Sequence, residues 1–340
     1  MIKETIEKLI RGRDLGLEEA AAVMEEIMTG QATPAQFGAF VVGLRLKGET
    51  VDELTGLARV MRAKALRVEF DGPMVDTCGT GGDDLGTFNI STVAAFVVAG
   101  AGLTVAKHGN RAMSSHCGSA DILERHGVKI DLGPEGVKRC MEEVGIGFMF
   151  APAFHPAMKF AVQPRREIGV RTVFNILGPL TNPARAQAQV LGVAAEPLGE
   201  KMIQVLQGLG SERAMVVHGQ DGLDEISIIA RTHIWELRDG TIKDYWVSPE
   251  ELGLEPAPLE TLKGGSVEEN TAIMVEILKG APGPRREVVV ANAAGGIVVG
   301  GKARDLREGV KLARESIDGG RALDKLNGLA EVSQRLGAEE

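Results

Sequence analysis

Chemistry-bearing side chains in this sequence gather in short glycine-containing segments, each placed where an apolar run gives way to a helical one. The first is Asp76-Thr77-Cys78-Gly79-Thr80-Gly81-Gly82-Asp83-Asp84. Glycine-rich turns between a strand and a helix present backbone N–H groups to anions, above all to phosphate. The segment lacks the Gly-Lys-Ser/Thr of a Walker A loop, and Asp84 stands where a dinucleotide fingerprint needs Gly or Ala. Taken alone, it reads as readily as an ordinary tight turn. Thr87-Phe88-Asn89-Ile90-Ser91-Thr92 then puts four hydrogen-bonding side chains at the start of an apolar helix. One is enough for a cap. A polyanion would use all four together with the positive end of the helix dipole, so the two segments jointly favour an anion site.

Lys107-His108-Gly109-Asn110-Arg111-Ala112-Met113-Ser114-Ser115 follows a strand expected over residues 103–106. Open α/β sheets bind ligands at the carboxyl ends of their strands. Two cations, an imidazole, an amide and two hydroxyls within nine positions exceed what a solvated loop needs. Gly118-Ser119 and Asp121 open the next helix, with Asp121 readable as a cap alone. His218-Gly219-Gln220-Asp221-Gly222-Leu223-Asp224-Glu225 brings three carboxylates together after another strand. Such a turn is either solvated or bridged by a hard cation such as magnesium, which joins carboxylates to substrate phosphates. Arg165 and Arg166, after Pro164, suit either a carboxylate-bearing substrate or a surface ion pair. His126, His155 and His233 have no evident partners and read as core or surface histidines. No Ser-His-Asp or Cys-His spacing supports a covalent mechanism.

The elements that must position these segments fall into two parts. Residues 1–66 read as a small all-helical domain: Gly30 closes one helix, Thr33-Pro34 opens the next, and Thr50 with Glu53 forms a capping box. Phe37, Phe40, Val41 and Leu44 fall on one helical face. Residues 67–340 alternate short β-branched runs, glycine turns and helical stretches, which indicates a mainly parallel sheet covered by helices. Strands are expected at 74–76, 103–106, 214–218 and 287–291. A hairpin is expected from Trp235 to Ile242 around Asp239-Gly240. Residues 163–183, rich in Arg, Gly, Pro and Asn, form either a linker or a functional crossing segment.

Composition narrows the class further. At about 150 residues per domain, 340 residues make roughly two domains. The charge sum of 38 Lys+Arg against 47 Asp+Glu gives −9, and aromatics are only 4%, which disfavours binding to nucleic acid or to an anionic membrane. Cys78, Cys117 and Cys140 are odd in number and lack metal or redox spacing, as fits a cytoplasmic protein. The longest apolar run, residues 93–106, is too short for a membrane span and reads as a buried helix entering a strand.

Over nearly the whole chain the sequence resembles the anthranilate phosphoribosyltransferases. The likeness is carried by Gly79-Thr80-Gly81-Gly82-Asp83 with residues 87–92, by residues 107–111 with Ser114-Ser115, and by Gly118-Ser119-Ala120-Asp121. Gln36, Lys47-Gly48-Glu49-Thr50, Arg171-Thr172, Phe174-Asn175, Gly178-Pro179-Leu180 and residues 221–225 also match. The resemblance implies a nucleoside phosphorylase/phosphoribosyltransferase-like fold, with the helical domain serving dimerisation, joined by part of 164–190. It implies transfer of phosphoribosyl from 5-phosphoribosyl 1-pyrophosphate (PRPP) to anthranilate, with Mg2+, by a homodimer. PRPP would be held by Gly79, Gly82, Asp83, Thr87, Asn89, Ile90, Ser91, Thr92, Lys107, His108, Gly109, Asn110, Arg111, Ala112, Met113, Ser114, Ser115 and Ser119. Anthranilate would meet Gly79, Asn110 and Arg165; the metal would meet Ser91, Asp224 and Glu225. The chain departs from the commonest family pattern at Asp84, His116-Cys117, His126 and Thr271. A pyrimidine nucleoside phosphorylase and a non-catalytic nucleic-acid-binding relative of the same fold are the competing readings.

Overall fold

Local signals set the first four helices of the computed structural model, which describes residues 1–112 and 117–339. These are α1 (Ile2–Ile10), α2 (Leu17–Met28), α3 (Pro34–Lys47) and α4 (Val51–Lys64). Thr33 Oγ1 accepts from Gln36 N at 3.2 Å while Thr33 N donates to Gln36 Oε1 at 2.9 Å. Thr50 and Glu53 form the same reciprocal box at the start of α4, at 3.2 and 2.8 Å. Each box satisfies two N–H groups that a helix start leaves free. Phe37, Phe40, Val41 and Leu44 are buried, as their spacing requires, in a core shared with Leu54 and Leu57. That core continues into Leu191, Val216 and Trp235, so the bundle packs on one face of the sheet.

The rest of the chain alternates: β1 (Met74–Gly79), α5 (Ile90–Gly100), β2 (Thr104–Gly109), α6 (Ser119–Arg125), α7 (Pro134–Val144) and β3 (Ile146–Phe150). A crossing segment follows with α8 (Ala151–Phe154), α9 (Lys159–Ile168) and α10 (Phe174–Leu177). Then come β4 (Ala188–Gly192), α11 (Pro197–Gly208), β5 (Arg213–Gly219), β6 (Thr232–Arg238) and β7 (Thr241–Val247). The chain closes with α12 (Val267–Leu278), α13 (Pro284–Val299), α14 (Leu306–Asp318) and α15 (Arg321–Glu339). The sheet order is β3-β2-β1-β4-β5-β6-β7. Its first five strands run parallel, and β6 and β7 are antiparallel. The β6–β7 hairpin turns on Asp239 (φ 51°) and Gly240 (φ 72°), the paired positive φ of a tight hairpin turn.

Two expectations need correction. Residues 287–291 form no strand but lie within α13, whose residues from Val288 to Val299 are all buried. A helix buried on every side shows no apolar periodicity, so a β-branched run inside it mimics a strand; the Gly283-Pro284 start was the better signal. Residues 107–109 belong to β2, so Lys107 and His108 are strand residues and the loop begins only at Asn110.

The chain steps outward from β1 to β2 and β3, then returns to β4 on the other side of β1. The segments leaving β1 and β4 therefore diverge and open a crevice at the carboxyl ends of those strands. Among the described residues no helix is long and apolar enough to cross a membrane.

Candidate active site

The crevice is floored by two glycines. A Cβ at Gly79, the last residue of β1, would lie 2.3 Å from Asp224 Oδ2; one at Gly192, the last of β4, would lie 1.5 Å from Asp224 O. Only glycine at both strand ends lets the acidic turn after β5 fold across them. Once there, Asp224 Oδ2 accepts from Gly81 N at 2.8 Å, and Glu225 Oε1 accepts from Ser91 N at 3.1 Å. The carboxylates thus sit on the glycine loop and on the N-terminus of α5, the two anion-binding features read from the sequence. Burial, then the charge of Asp83, pushes Asp224 up to about 7. Glu225 is raised well above the usual carboxylate range by burial and by Asp224, with Lys107 opposing. The third carboxylate of the turn takes no part: Asp221 turns back to accept from Ser227 Oγ at 2.8 Å. Asp83, from the glycine loop, supplies the third charge instead.

At the mouth of α5 one polar side chain, that of Asn89, has a hydrogen-bond partner among the described residues. Asn89 does not cap the helix; its Nδ2 donates to Cys117 O at 3.0 Å, and its buried Oδ1 has no partner among the described residues. The backbone of Thr87 forms an isolated antiparallel bridge with that of Lys263. Ile90 and Thr92 are buried, and Ser91 O accepts from Thr77 Oγ1 at 3.0 Å.

Lys107 is a buried cation whose Nζ donates to Thr77 O at 2.6 Å. Burial lowers its pKa against the opposing pull of Asp76; Asp76 is raised by burial, with Lys107 opposing. Asp76 is held by Asn182 Nδ2 at 2.9 Å and Gln189 Nε2 at 3.4 Å. These two partners lie 106 and 113 residues away, and nothing in the local sequence announces them. His108 packs 5.1 Å from His155, which sequence reading left as an isolated histidine. Burial holds them at about 3 and about 4, so both rings are neutral near pH 7. Their buried Nε2 atoms have no partner among the described residues.

Beyond β2, Ser119 Oγ donates to Asn110 O at 3.3 Å. Arg111 is engaged by Glu124, at 2.7 and 2.9 Å, and by Asp121 at 3.0 Å, with its guanidinium 5.6 Å above the Phe150 ring. Asp121 does more than cap α6: its Oδ2 accepts from Ala112 N at 3.1 Å and Gly118 N at 2.8 Å, drawing the two ends of the intervening segment together. Met113, Ser114, Ser115 and His116 lie outside the described residues.

On α9, Arg165 is half-buried with its guanidinium 5.4 Å over Phe174, and among the described residues its side chain makes no hydrogen bond or ion pair. Burial lowers its pKa. Arg166 is exposed. The residue that sequence reading gave no role is Arg171, whose Nη2 donates to Gly81 O at 3.0 Å. Among the described residues, no group of three His, Cys, Asp or Glu side chains stands ready to hold a metal by itself.

A helical bundle beside a mainly parallel sheet, with glycine loops and carboxylates over its switch point, is the architecture of a two-domain glycosyl transferase. Residues 3–65 match the helical bundle domain of the glycosyl transferase family and residues 71–323 its α/β domain. The chain is 59% identical over 335 residues to anthranilate phosphoribosyltransferase of Chloroflexus aggregans, covering 98% of each. Anthranilate phosphoribosyltransferase from Thermus thermophilus superposes with a TM-score of 0.92 at 45% identity, over 97% of this chain and 99% of that one. The Saccharomyces cerevisiae enzyme in complex with PRPP and Mg gives 0.91 at 26% identity over 98% of each chain. The chain belongs to the anthranilate phosphoribosyltransferase family.

Proposed function

We propose that the crevice over β1 and β4 is where this chain carries out its family's reaction and that the residues gathered there divide the work. The enzyme moves the phosphoribosyl group of PRPP to the amine of anthranilate, giving N-(5'-phosphoribosyl)anthranilate and pyrophosphate in tryptophan biosynthesis. The observation that carries the site assignment is the acidic turn folded onto the glycine loop, with Asp224 on Gly81 N and Glu225 on Ser91 N. Two buried carboxylates placed beside N–H groups suited to phosphate are well placed to recruit added positive charge.

Ser91, Asp224 and Glu225 supply hard oxygen donors, and burial with neighbouring like charge raises the pKa values of Asp224 and Glu225, which added positive charge would relieve. That donor set fits magnesium, which completes its shell with substrate phosphates and, when bound, would stabilise charge on the departing pyrophosphate. Gly79, Gly82 and Asp83 of the loop, the polar mouth of α5 and Lys107 hold PRPP, together with the segment from His108 to Ser115 and Ser119. Asn110 and Arg165 orient anthranilate beside Gly79; the guanidinium of Arg165, free of carboxylate partners among the described residues, suits the acceptor's carboxylate. The aniline nitrogen is neutral near pH 7 and already exposes its lone pair, so the site needs no strong base. Rate comes from alignment and from donors aimed where charge develops.

The enzyme works as a cytoplasmic homodimer through its helical domains. The exposed apolar Ile10 and Leu46, at the ends of the packed helices α1 and α3, support that face. Loss of anthranilate fluorescence that requires protein, PRPP and magnesium together tests the assignment. Phosphorolysis of thymidine or uridine without that loss would overturn it.

A further inference from the structure

α9 ends at Ile168, and Gly169 turns the chain out of the helix in the left-handed conformation, at φ 67°. Arg171 then reaches back to the loop after β1, 90 residues earlier in the chain. Its Nη2 donates to Gly81 O at 3.0 Å, while Gly81 N donates to Asp224 Oδ2 at 2.8 Å. A single residue of the phosphate loop is gripped from both sides, by a cation from the crossing segment and by the acidic turn. The guanidinium also fills the space beside the next residue. A Cβ on Gly82 would lie 1.6 Å from Arg171 Nη1 and 2.2 Å from its Cζ. Among the described residues Arg171 has no carboxylate partner, so its one bond to the protein is the one to this loop.

We propose that Arg171 is a positioning residue for the PRPP loop: it fixes the Gly81 carbonyl and so the orientation in which the loop's N–H groups face the diphosphate. The proposal rests on the reading of the crevice given above. It also assigns a second reason for glycine at position 82. At φ 81° an L side chain is strained, and its Cβ would push the guanidinium off Gly81. Gly82→Ala therefore breaks the same contact that Arg171→Ala removes, and the two substitutions must not act independently.

The test is calorimetric titration of the full-length protein with PRPP and magnesium, joined to initial rates. Arg171→Ala should weaken PRPP binding about tenfold, as loss of a charged hydrogen bond would. Its KM for anthranilate at saturating PRPP should stay within about twofold of wild type, a split that general destabilisation would not produce. Arg171→Lys, which keeps a cationic donor, should recover part of the loss. Gly82→Ala should weaken binding somewhat more than Arg171→Ala, and the double variant no more than Gly82→Ala alone. Losses that multiply in the double variant, or equal changes in both KM values, would overturn the role of Arg171. Should Gly82→Ala fail to fold, the Ala and Lys variants of the exposed Arg171 still decide the point. Wild-type protein that does not bind PRPP would overturn the reading of the crevice itself, whereas wild-type and Arg171→Ala proteins that bind equally well would remove only this proposal.

Discussion

In the helical bundle, Glu53 is wholly buried and fully engaged: it accepts from Leu15 N at 2.9 Å, Thr50 N at 2.8 Å and Lys47 Nζ at 3.0 Å. Lys47 in turn donates to Asp14 at 2.7 Å and Gly48 O at 2.8 Å. At the end of the sheet, Asp224 and Glu225 each hold one backbone N–H from another loop and press against like charge. Both regions match the family's sequence pattern, yet they are opposite in kind. The Lys47-to-Glu53 group has spent its hydrogen-bonding capacity on joining the loops around α2 and α4, so it is architecture. The crevice group is left short of cation and donors, which is what a site for a metal-bound polyanion needs before its ligand arrives.

That contrast can be broken by four variants. Replacing both Asp224 and Glu225 by Ala should have the largest effect, lowering magnesium-dependent turnover by at least about a hundredfold. Thermal stability should hold or rise, since repulsion is removed; a large fall in stability would mean that these carboxylates are structural after all. Glu53→Ala should do the reverse. It leaves the N–H groups of Leu15 and Thr50 without their acceptor and Lys47 with only Asp14 and the Gly48 carbonyl, which should cost about 3 kcal/mol in urea unfolding. KM for both substrates, measured where the variant is folded, should not move.

The third test uses pH. The unfolded chain protonates His155 as pH falls through about 6.5, whereas burial in the folded chain delays this to about 4. His108, held to about 3, behaves alike. Between those values the unfolded form binds more protons, so stability should drop as pH falls from about 6.5 toward 4. His155→Leu should flatten that slope in denaturation midpoints measured at pH 4.5 and 7; an unchanged slope would place the acid sensitivity elsewhere.

The smallest effect belongs to Asp84, where the commonest family pattern has Gly. Asp84 adopts φ 53°, the left-handed region that glycine enters freely and Asp tolerates. Asp84→Gly should change unfolding free energy by less than about 1 kcal/mol, because relief of strain is offset by the greater freedom of the unfolded chain. A larger change would show that the Asp84 side chain itself has work in the loop.

The sequence alone determined whatever depends on neighbours a few residues apart. Capping boxes at Thr33 and Thr50, the hairpin at Asp239-Gly240 and the apolar face of α3 are local, because their hydrogen bonds, dihedrals and spacing close within a few positions. Tertiary structure decided what long-range contact decides. Buried α13 carried no periodicity to separate it from a strand. Composition of the turn does not separate Asp221 from Asp224, which only the family resemblance set apart; Gly79 and Gly192 let Asp224 cross two strand ends. Lys107 looked like loop until β2 carried it inside, and Arg171 acquired its partner only when the crossing segment returned to a loop 90 residues earlier. Such meetings depend on where the strands end in space, and no short-range pattern encodes that.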